Sequence, residues 1–529
     1  MSAPVDEEGP IAVRLLLERN ASERPDEVFA TFEDGTTWTW KFALETASAA
    51  AHELRRAGAT QGEPVAVAYP NGPEFVRAVY GVTMLGAVVV PVNMAYRGAI
   101  LEHLITLAKP KVMVADGGFA SRLEHLSVAK PLVLSGEELL GTDTRVPTLE
   151  RPVENWDTNA LCLTSGTTGP SKLARLSYAQ TLSGGNLLFR NWGADHNDIY
   201  LADMAMFHSS GMYFLHSALA TRTGIAVRTR PNLGAYWEVA RETGATIVQL
   251  MSTMTTHLEQ QPPRPAERQH SIRVALVVPV ARDLEAFKRR FDIESIHTSW
   301  ASTEVPAATC AWPGQKMVEG YCGQVRPGWE VRLVDGNDND VPVGEPGEAI
   351  VRSDKPWLIA SEYVGNPDAT AATWRNGWFH SGDMLRRDED GNFFFVDRSK
   401  DAIRRRGQNI SSFEVERVLL SFPGIAEVAC VPERSGVDVE DEVKAWLVRS
   451  EGATVDLAGL LEYCVNQLPH YMVPRYFELI DELPKTPSLK VQKYELRAQG
   501  NGPATWDRVE HGLDVNRFGL QRLAETPGS

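Results

Sequence analysis

Thr164-Ser165-Gly166-Thr167-Thr168-Gly169-Pro170-Ser171-Lys172 is the stretch whose residue types speak most directly to chemistry. Hydroxyls and glycines in succession leave backbone N–H groups free to cradle phosphate oxygens, and Lys172 adds a positive charge. The spacing is not that of a Walker A loop, which has Gly directly before Lys and Ser or Thr after it. Here Ser171 and Leu173 flank the lysine, and the plain alternative is an exposed turn. Four further groups stand out: Glu304 in Ser302-Thr303-Glu304, Asp383 closing Gly377–Asp383, His208 in Phe207–Gly211, and Lys490 between Lys485 and Lys493. Each has a duller reading: a surface carboxylate, a turn residue after glycine, a core histidine and a solvated lysine, in that order. The Arg404–Arg406 run reads equally well as an anion site or a solvated face. No serine has glycine two residues away on both sides, which leaves a G-x-S-x-G hydrolase without support.

Positioning these residues falls to alternating strands and helices. Apolar spacing predicts a helix over Lys41–Ala57, a strand over Pro64–Tyr69, a helix over Glu74–Leu85 and a strand over Ala87–Val92. Strand, helix and strand in that order imply a parallel sheet with crossover helices. The pattern continues through Lys111–Ala115, Ala245–Met251 and Val274–Val278, so the front of the chain reads as α/β. Over 330–397, short strands (Val331–Val334, Glu348–Arg352, Phe393–Val396) alternate with turn-rich pieces, which predicts a small β-rich subdomain. After the charged run from Arg398, an amphipathic segment Phe413–Ser421, strands Ala426–Val431 and Lys444–Leu447, and a helix Leu457–Gln467 make up a small α+β unit. The expected division is a large domain over 1–398, a second over 399–497 and a peripheral tail over 498–529.

The chain of 529 residues carries 53 Lys+Arg against 69 Asp+Glu, a net charge of −16 that argues against broad nucleic-acid or anionic-membrane binding. No apolar run approaches the roughly 20 residues of a membrane span. Asp6, Glu7 and Glu8 stand where a signal peptide would be basic and then apolar. Five scattered cysteines, never spaced C-x-x-C, fit neither a disulfide scaffold nor a zinc ribbon. A cytoplasmic location is expected. In that setting Asn20-Ala21-Ser22 is a glycosylation sequon in form only.

Taken in order, the motifs resemble those of the adenylate-forming superfamily: acyl- and aryl-CoA ligases, stand-alone adenylation domains and beetle luciferases. Thr164–Lys172 is similar to its phosphate loop, Ser302–Glu304 to its threonine–glutamate motif, and Gly377–Asp383 to its ribose motif. Val396–Asp401 resembles its hinge, Arg406–Ser411 the segment after it, and Pro484–Lys493 the carboxy-terminal lysine motif. The likeness spans roughly residues 10 to 500, and its hinge-to-helix wording is nearest to carnitine/crotonobetaine-CoA ligase-like members.

The resemblance implies ligation of a carboxylic acid to coenzyme A through an acyl-adenylate, with ATP, Mg²⁺ and a mobile small domain. On that footing Thr164, Ser165, Gly166, Thr167, Thr168, Gly169 and Lys172 hold the β- and γ-phosphates. Thr303 bonds the α-phosphate, Glu304 ligates Mg²⁺, and Trp300 stacks on adenine. Asp383 and Arg398 take the ribose, and Lys490 bridges the α-phosphate and the attacking carboxylate. Lys400 is the hinge, Gly407 lines a pantetheine tunnel, Arg404–Arg406 are candidates for CoA phosphates, and His208 gates the acyl pocket. That pocket draws on Phe207–Phe214, Met251–Thr255 and 277–301, an apolar set suited to a bulky acid.

Several positions depart from the family pattern. Leu173, Ala301 and Leu489 stand where relatives commonly have glycine, and Val277-Val278-Pro279 where they often have Gly-Gly-Ala. A side chain where φ is positive is strained. One expectation is therefore a chain weak in adenylation, making only the thioester from an acyl-adenylate supplied by a separate adenylating enzyme. The complete ligase is the default reading, and loading of a carrier-protein thiol is a further alternative.

Overall fold

Val65, Val67, Val89, Val112 and Val114 are all fully or almost fully buried, and they form the centre of a parallel sheet. The computed structural model describes residues 12–164, 171–280, 283–398, 402–405, 408–434, 441–484 and 491–523. Its first sheet has the order Leu132–Leu134, Val112–Ala115, Pro64–Ala68, Val88–Pro91, Thr158–Thr164, Lys172–Ser177. All neighbours in it are parallel except the last pair, an antiparallel ladder with Thr164 opposite Lys172. The helix expected over Lys41–Ala57 runs Trp40–Arg56 and buries Ala43, Ala47, Ala50, Ala51 and Leu54. Phe42, at the start of this helix, is 45% exposed and packs edge-on to Trp38.

The second sheet is mixed and seven-stranded, with Ser295–His297, Val274–Val278, Ile247–Met251, Ile199–Ala202 and Gly224–Val227 running parallel. In open α/β sheets, ligands bind outside the carboxyl ends of the strands. Thr164, Met204–His208, Met251–Met254, Val278 and Ser299–Glu304 all lie at or just beyond such ends.

From Ser299 onward the ladder turns antiparallel, giving an eight-stranded sheet whose longest strands are Trp378–Arg387 and Gly347–Ser353. The expected β-rich texture over 330–397 is part of this sheet. Its last strand, Phe393–Arg398, sets Arg398 opposite Asp383.

The small α+β unit begins with a hairpin, Ala402–Arg405 and Gln408–Ser411, followed by helix Ser412–Leu420. Strands Ile425–Arg434, Asp441–Arg449 and Tyr476–Ile480 form its sheet, with helix Leu457–Gln467 packed against them. The segment expected to be a peripheral tail departs from that expectation. Trp506–Asp507 adds an edge strand beside Tyr476–Phe477, and Val515 is fully buried in this unit's core. The physical reason is Lys444: its ammonium is fully buried and reaches the Glu478 carboxylate (2.7 Å), Gly500 O (2.5 Å) and Thr505 Oγ1 (3.2 Å). A buried charge requires such partners. Among the described residues no helix is long and apolar enough to cross a membrane.

Candidate active site

A cavity of about 720 Å³ opens where the strand ends of the two α/β sheets face the β-rich sheet and the small unit. Lys172, Thr303, Glu304, Asp383, His208 and Thr164 all line it. These residues lie as far apart in the chain as Thr164 and Asp383, and the fold brings them to one chamber.

The Thr303–Glu304 turn is held from behind. Gln180 Nε2 donates to both carbonyl oxygens (3.1 Å each), the Tyr213 hydroxyl donates to Thr303 O (3.2 Å), and Ala360 N–H donates to Glu304 O (2.8 Å). The Tyr363 hydroxyl donates to Glu304 Oε1 at 2.7 Å, and Lys172 Nζ lies 4.6 Å from the same ring's centroid. Burial and the neighbouring carboxylate push the Tyr363 hydroxyl far up, so it stays a donor. Tyr363 thus spaces the ammonium from the carboxylate. Tyr363, Gln180 and Tyr213 escaped sequence reading because nothing local marks them; each acts through a contact 59 to 124 residues away.

Asp383 is fixed by its own strand. Gly382 turns at φ +74°, a conformation that favours glycine. Its N–H donates to Glu348 Oε1 (3.0 Å), and the N–H of Asp383 donates to Ser381 Oγ (3.1 Å). Trp300 does not line the cavity. Its ring is 5% exposed within the β-rich core, and its indole N–H donates to Asp383 Oδ2 at 2.9 Å. The geometry gives Trp300 the part of a support for Asp383.

His208 sits just before helix Ser209–Thr221 and lines the cavity. Burial pushes it down to about 4, so the imidazole is neutral at physiological pH. Gln408 Nε2, from the small unit's hairpin, lies 3.0 Å from His208 Nε2 and donates to it. Glu414, Tyr471 and Met472 of the same unit also line the cavity. The small unit therefore supplies one side of the chamber.

The apolar end of the cavity is built from Met251 and Val278 at the strand ends. One layer deeper come Gln249 and Leu276, which are partners in the ladder. Leu188, Met204, Phe207, Phe214 and Met254 complete apolar walls. Gln249 is the polar exception, with the Tyr200 hydroxyl 3.4 Å from its Oε1.

Other expectations resolve differently. Arg405 is 1% exposed, donates to Tyr471 O and Val473 O (3.0 and 3.1 Å), and pairs with Glu442. It holds the small unit together and is not free for a CoA phosphate. Leu173 is fully buried in a regular strand facing Leu161's cluster, and neither it nor Ala301 has a positive φ. The backbone penalty expected at these two positions is absent. Asn20 is fully buried and donates to Leu219 O at 2.8 Å, which removes it as an acceptor of sugar. Ser165, Gly166, Thr167, Thr168, Gly169, Lys400, Arg406, Gly407, Leu489 and Lys490 lie outside the described residues, and Arg398 and Arg404 are described in backbone only.

Residues 17–364 match the AMP-binding enzyme family model, and residues 414–490 match the AMP-binding enzyme C-terminal domain. A crotonobetaine/carnitine–CoA ligase of Salmonella paratyphi B is 27% identical over 462 residues, covering 83% of this chain and 89% of that protein. The o-succinylbenzoate CoA synthetase of Bacillus subtilis, as a double mutant bound with its product analogue OSB-NCoA, superposes with a TM-score of 0.82 at 23% identity. That match covers 93% of this chain and 98% of the synthetase. In complex with AMP, the synthetase superposes with a TM-score of 0.67 at 24% identity, covering 93% and 99%.

Proposed function

The chain belongs to the AMP-binding enzyme family, and from that premise we propose that it is an acyl-CoA ligase that makes its thioester through an acyl-adenylate. In the first half-reaction a carboxylate oxygen bonds to the α-phosphorus of ATP, and the bond to the β-phosphate breaks to release pyrophosphate. In the second, the sulfur of CoA attacks the acyl carbon and AMP leaves.

One observation carries the reading: a single cavity holds an ammonium (Lys172), a carboxylate (Glu304), a hydroxyl (Thr303) and a second carboxylate (Asp383) at one end, and apolar walls at the other. Preorganised cations and donors of this kind stabilise charge on a transferring phosphoryl group, most effectively where water is excluded. Lys172 serves the polyphosphate, Thr303 the α-phosphate, and Asp383, held by Trp300, the ribose hydroxyls. Lys490 delivers its charge to the α-phosphate and acid from the second domain, which begins after the hinge at Lys400.

Magnesium fits the donor set. Glu304 has one oxygen engaged by Tyr363, and no cluster of three metal-binding side chains exists among the described residues. This suits a hard ion that takes its other ligands from phosphates and water. Bound through Glu304, it would neutralise phosphate charge.

The small unit's present contacts support the orientation for the second half-reaction. Its hairpin of Ala402–Arg405 and Gln408–Ser411 reaches the cavity through Gln408, and neutral His208 accepts from it, leaving no charge beside the thiol's path. At Leu173 and Ala301 the strain behind the adenylation-weak form is absent, which supports the complete ligase at those two positions; the third, Leu489, lies outside the described residues.

The test is a panel of carboxylic acids with ATP, Mg²⁺ and CoA, following acyl-CoA, AMP and pyrophosphate by mass spectrometry, with the matching acyl-adenylates in parallel. Equal amounts of the three products from a free acid are expected. Thioester from the adenylates alone would favour the half-reaction enzyme, and none from either would remove the ligase assignment.

A further inference from the structure

Gln249 puts an amide where its neighbours are apolar. It shares a face of strand Ile247–Met251 with Met251 and lies one layer deeper in the cavity, beside Leu188, Phe214, Met254 and Leu276. Only 8% of it is exposed. Tyr200, opposite Ile247 on the neighbouring strand, stands on the same face, and its hydroxyl is 3.4 Å from Gln249 Oε1. The rings of Phe189 and Phe214 pack against Tyr200 with centroids 5.7 and 5.1 Å away, which fixes where that hydroxyl points. Burial pushes the phenol well above its ordinary value, so it keeps its proton and donates. A buried tyrosine hydroxyl needs an acceptor, and among the described residues the Gln249 oxygen supplies it. Turned the other way, the amide would set its own N–H groups against the phenol proton. The orientation that satisfies Tyr200 leaves Nε2, with two N–H donors, unpartnered among the described residues. Nε2 opens on the cavity and is not enclosed by packed side chains. A donor buried this far is costly unless whatever fills the cavity pairs with it.

We propose that Gln249 is a specificity-determining residue that donates to an uncharged oxygen on the acyl group, and that Tyr200 is the positioning residue that keeps its N–H groups turned to the substrate. The inference rests on the ligase reading and names the class of acid: an apolar body with one neutral oxygen acceptor (ketone, ether or hydroxyl) remote from the reacting carboxylate. A plain hydrocarbon acid drives water from this end and leaves the N–H groups unpaired. A second carboxylate there meets no counter-charge among the described lining residues, so its desolvation goes uncompensated. No covalent step beyond the ligation is involved.

The test uses pairs of acids on one carbon skeleton, with an oxygen function in one member and CH₂ in the other, the oxygen moved along the skeleton from pair to pair. Each is assayed with ATP, Mg²⁺ and CoA for kcat/KM of acyl-CoA formation, and titrated calorimetrically against the enzyme. At one position the wild type favours the oxygen-bearing acid by about tenfold or more in both measurements. Gln249→Leu, apolar and similar in volume, levels or inverts that preference while the hydrocarbon member is used no worse. Tyr200→Phe frees the amide to turn, so the preference for a ketone or ether narrows to about threefold or less, whereas a hydroxyl, able to donate as well as accept, keeps its advantage. A purely structural part for Tyr200 would move all three alike. Should Gln249→Leu fail to fold because the phenol is orphaned, the double variant with Tyr200→Phe removes donor and acceptor together and reports the same levelling. A wild type indifferent to the oxygen at every position, or a preference that survives loss of the amide, overturns the proposal. If no acid yields a thioester, the ligase reading fails separately, and the calorimetric comparison of the pairs still decides the part of Gln249.

Discussion

Trp300 spends its one donor on Asp383, so the carboxylate read as the ribose acceptor is aimed by an indole that never touches the cavity. Trp300→Phe keeps the packing and deletes the bond. AMP affinity should fall about three- to tenfold, with stability lower by about 1–2 kcal/mol. An unchanged dissociation constant for AMP on calorimetry would show that the indole does not position Asp383. His208 gives a pH prediction. Its folded value is depressed to about 4 by burial, below the ordinary 6.5, so the unfolded chain takes up the proton first as pH falls. The neutral ring contributes no penalty above pH 6.5, and stability is lost between about 6.5 and 4, at up to roughly 1 kcal/mol per pH unit for this one group. His216, buried and pushed down to about 3, acts in the same direction, so the readout is the difference between wild type and His208→Gln. Urea unfolding at pH 7, 5.5 and 4.5 should give the variant the shallower decline; parallel curves would refute the assignment.

Helix Ser209–Thr221 forms one wall of the chamber, and its approach to the preceding loop depends on Gly211. A Cβ built there would lie 2.4 Å from Met206 Cα and 2.6 Å from its carbonyl oxygen, both backbone atoms that cannot swing aside. Gly211→Ala must push the helix away from the Met206–His208 segment. It is expected to cost about 1–3 kcal/mol and to displace His208 from Gln408. Thermal unfolding together with the rate of thioester formation from an acyl-adenylate checks this, and a variant normal in both would mean the helix has slack that the geometry denies. The strand layer beneath it was readable from sequence, because Ala245–Met251 and Val274–Val278 are apolar runs of strand length. The tight helix approach was not, since it depends on a backbone-to-backbone distance that residue types do not encode.

At the scale of the molecule, residues 500–523 belong to the small domain's architecture. Deleting residues 500–529 strips the Lys444 ammonium of Gly500 O and Thr505 Oγ1 and removes the edge strand that covers Phe477. The ammonium keeps Glu478 but loses these two hydrogen-bond partners, at about 1–3 kcal/mol each, so the truncated protein should show a separate, lower unfolding transition for this domain. A single transition at the wild-type temperature in calorimetry would show the segment to be dispensable. The misreading of this stretch has a plain cause: its Gly, Pro and charged residues look like a tail, and only the distant Lys444 gives them work. Sequence alone determined the α/β class, the order of the motifs and three of the chamber's charged groups, Lys172, Glu304 and Asp383, because periodicity and residue chemistry are local properties written into short windows. Only the tertiary structure decided that Trp300 supports rather than lines, that Arg405 is bound internally, and that Tyr200 meets Gln249. Those outcomes turn on which groups far apart in the chain are buried against each other, and burial is a property of the whole fold.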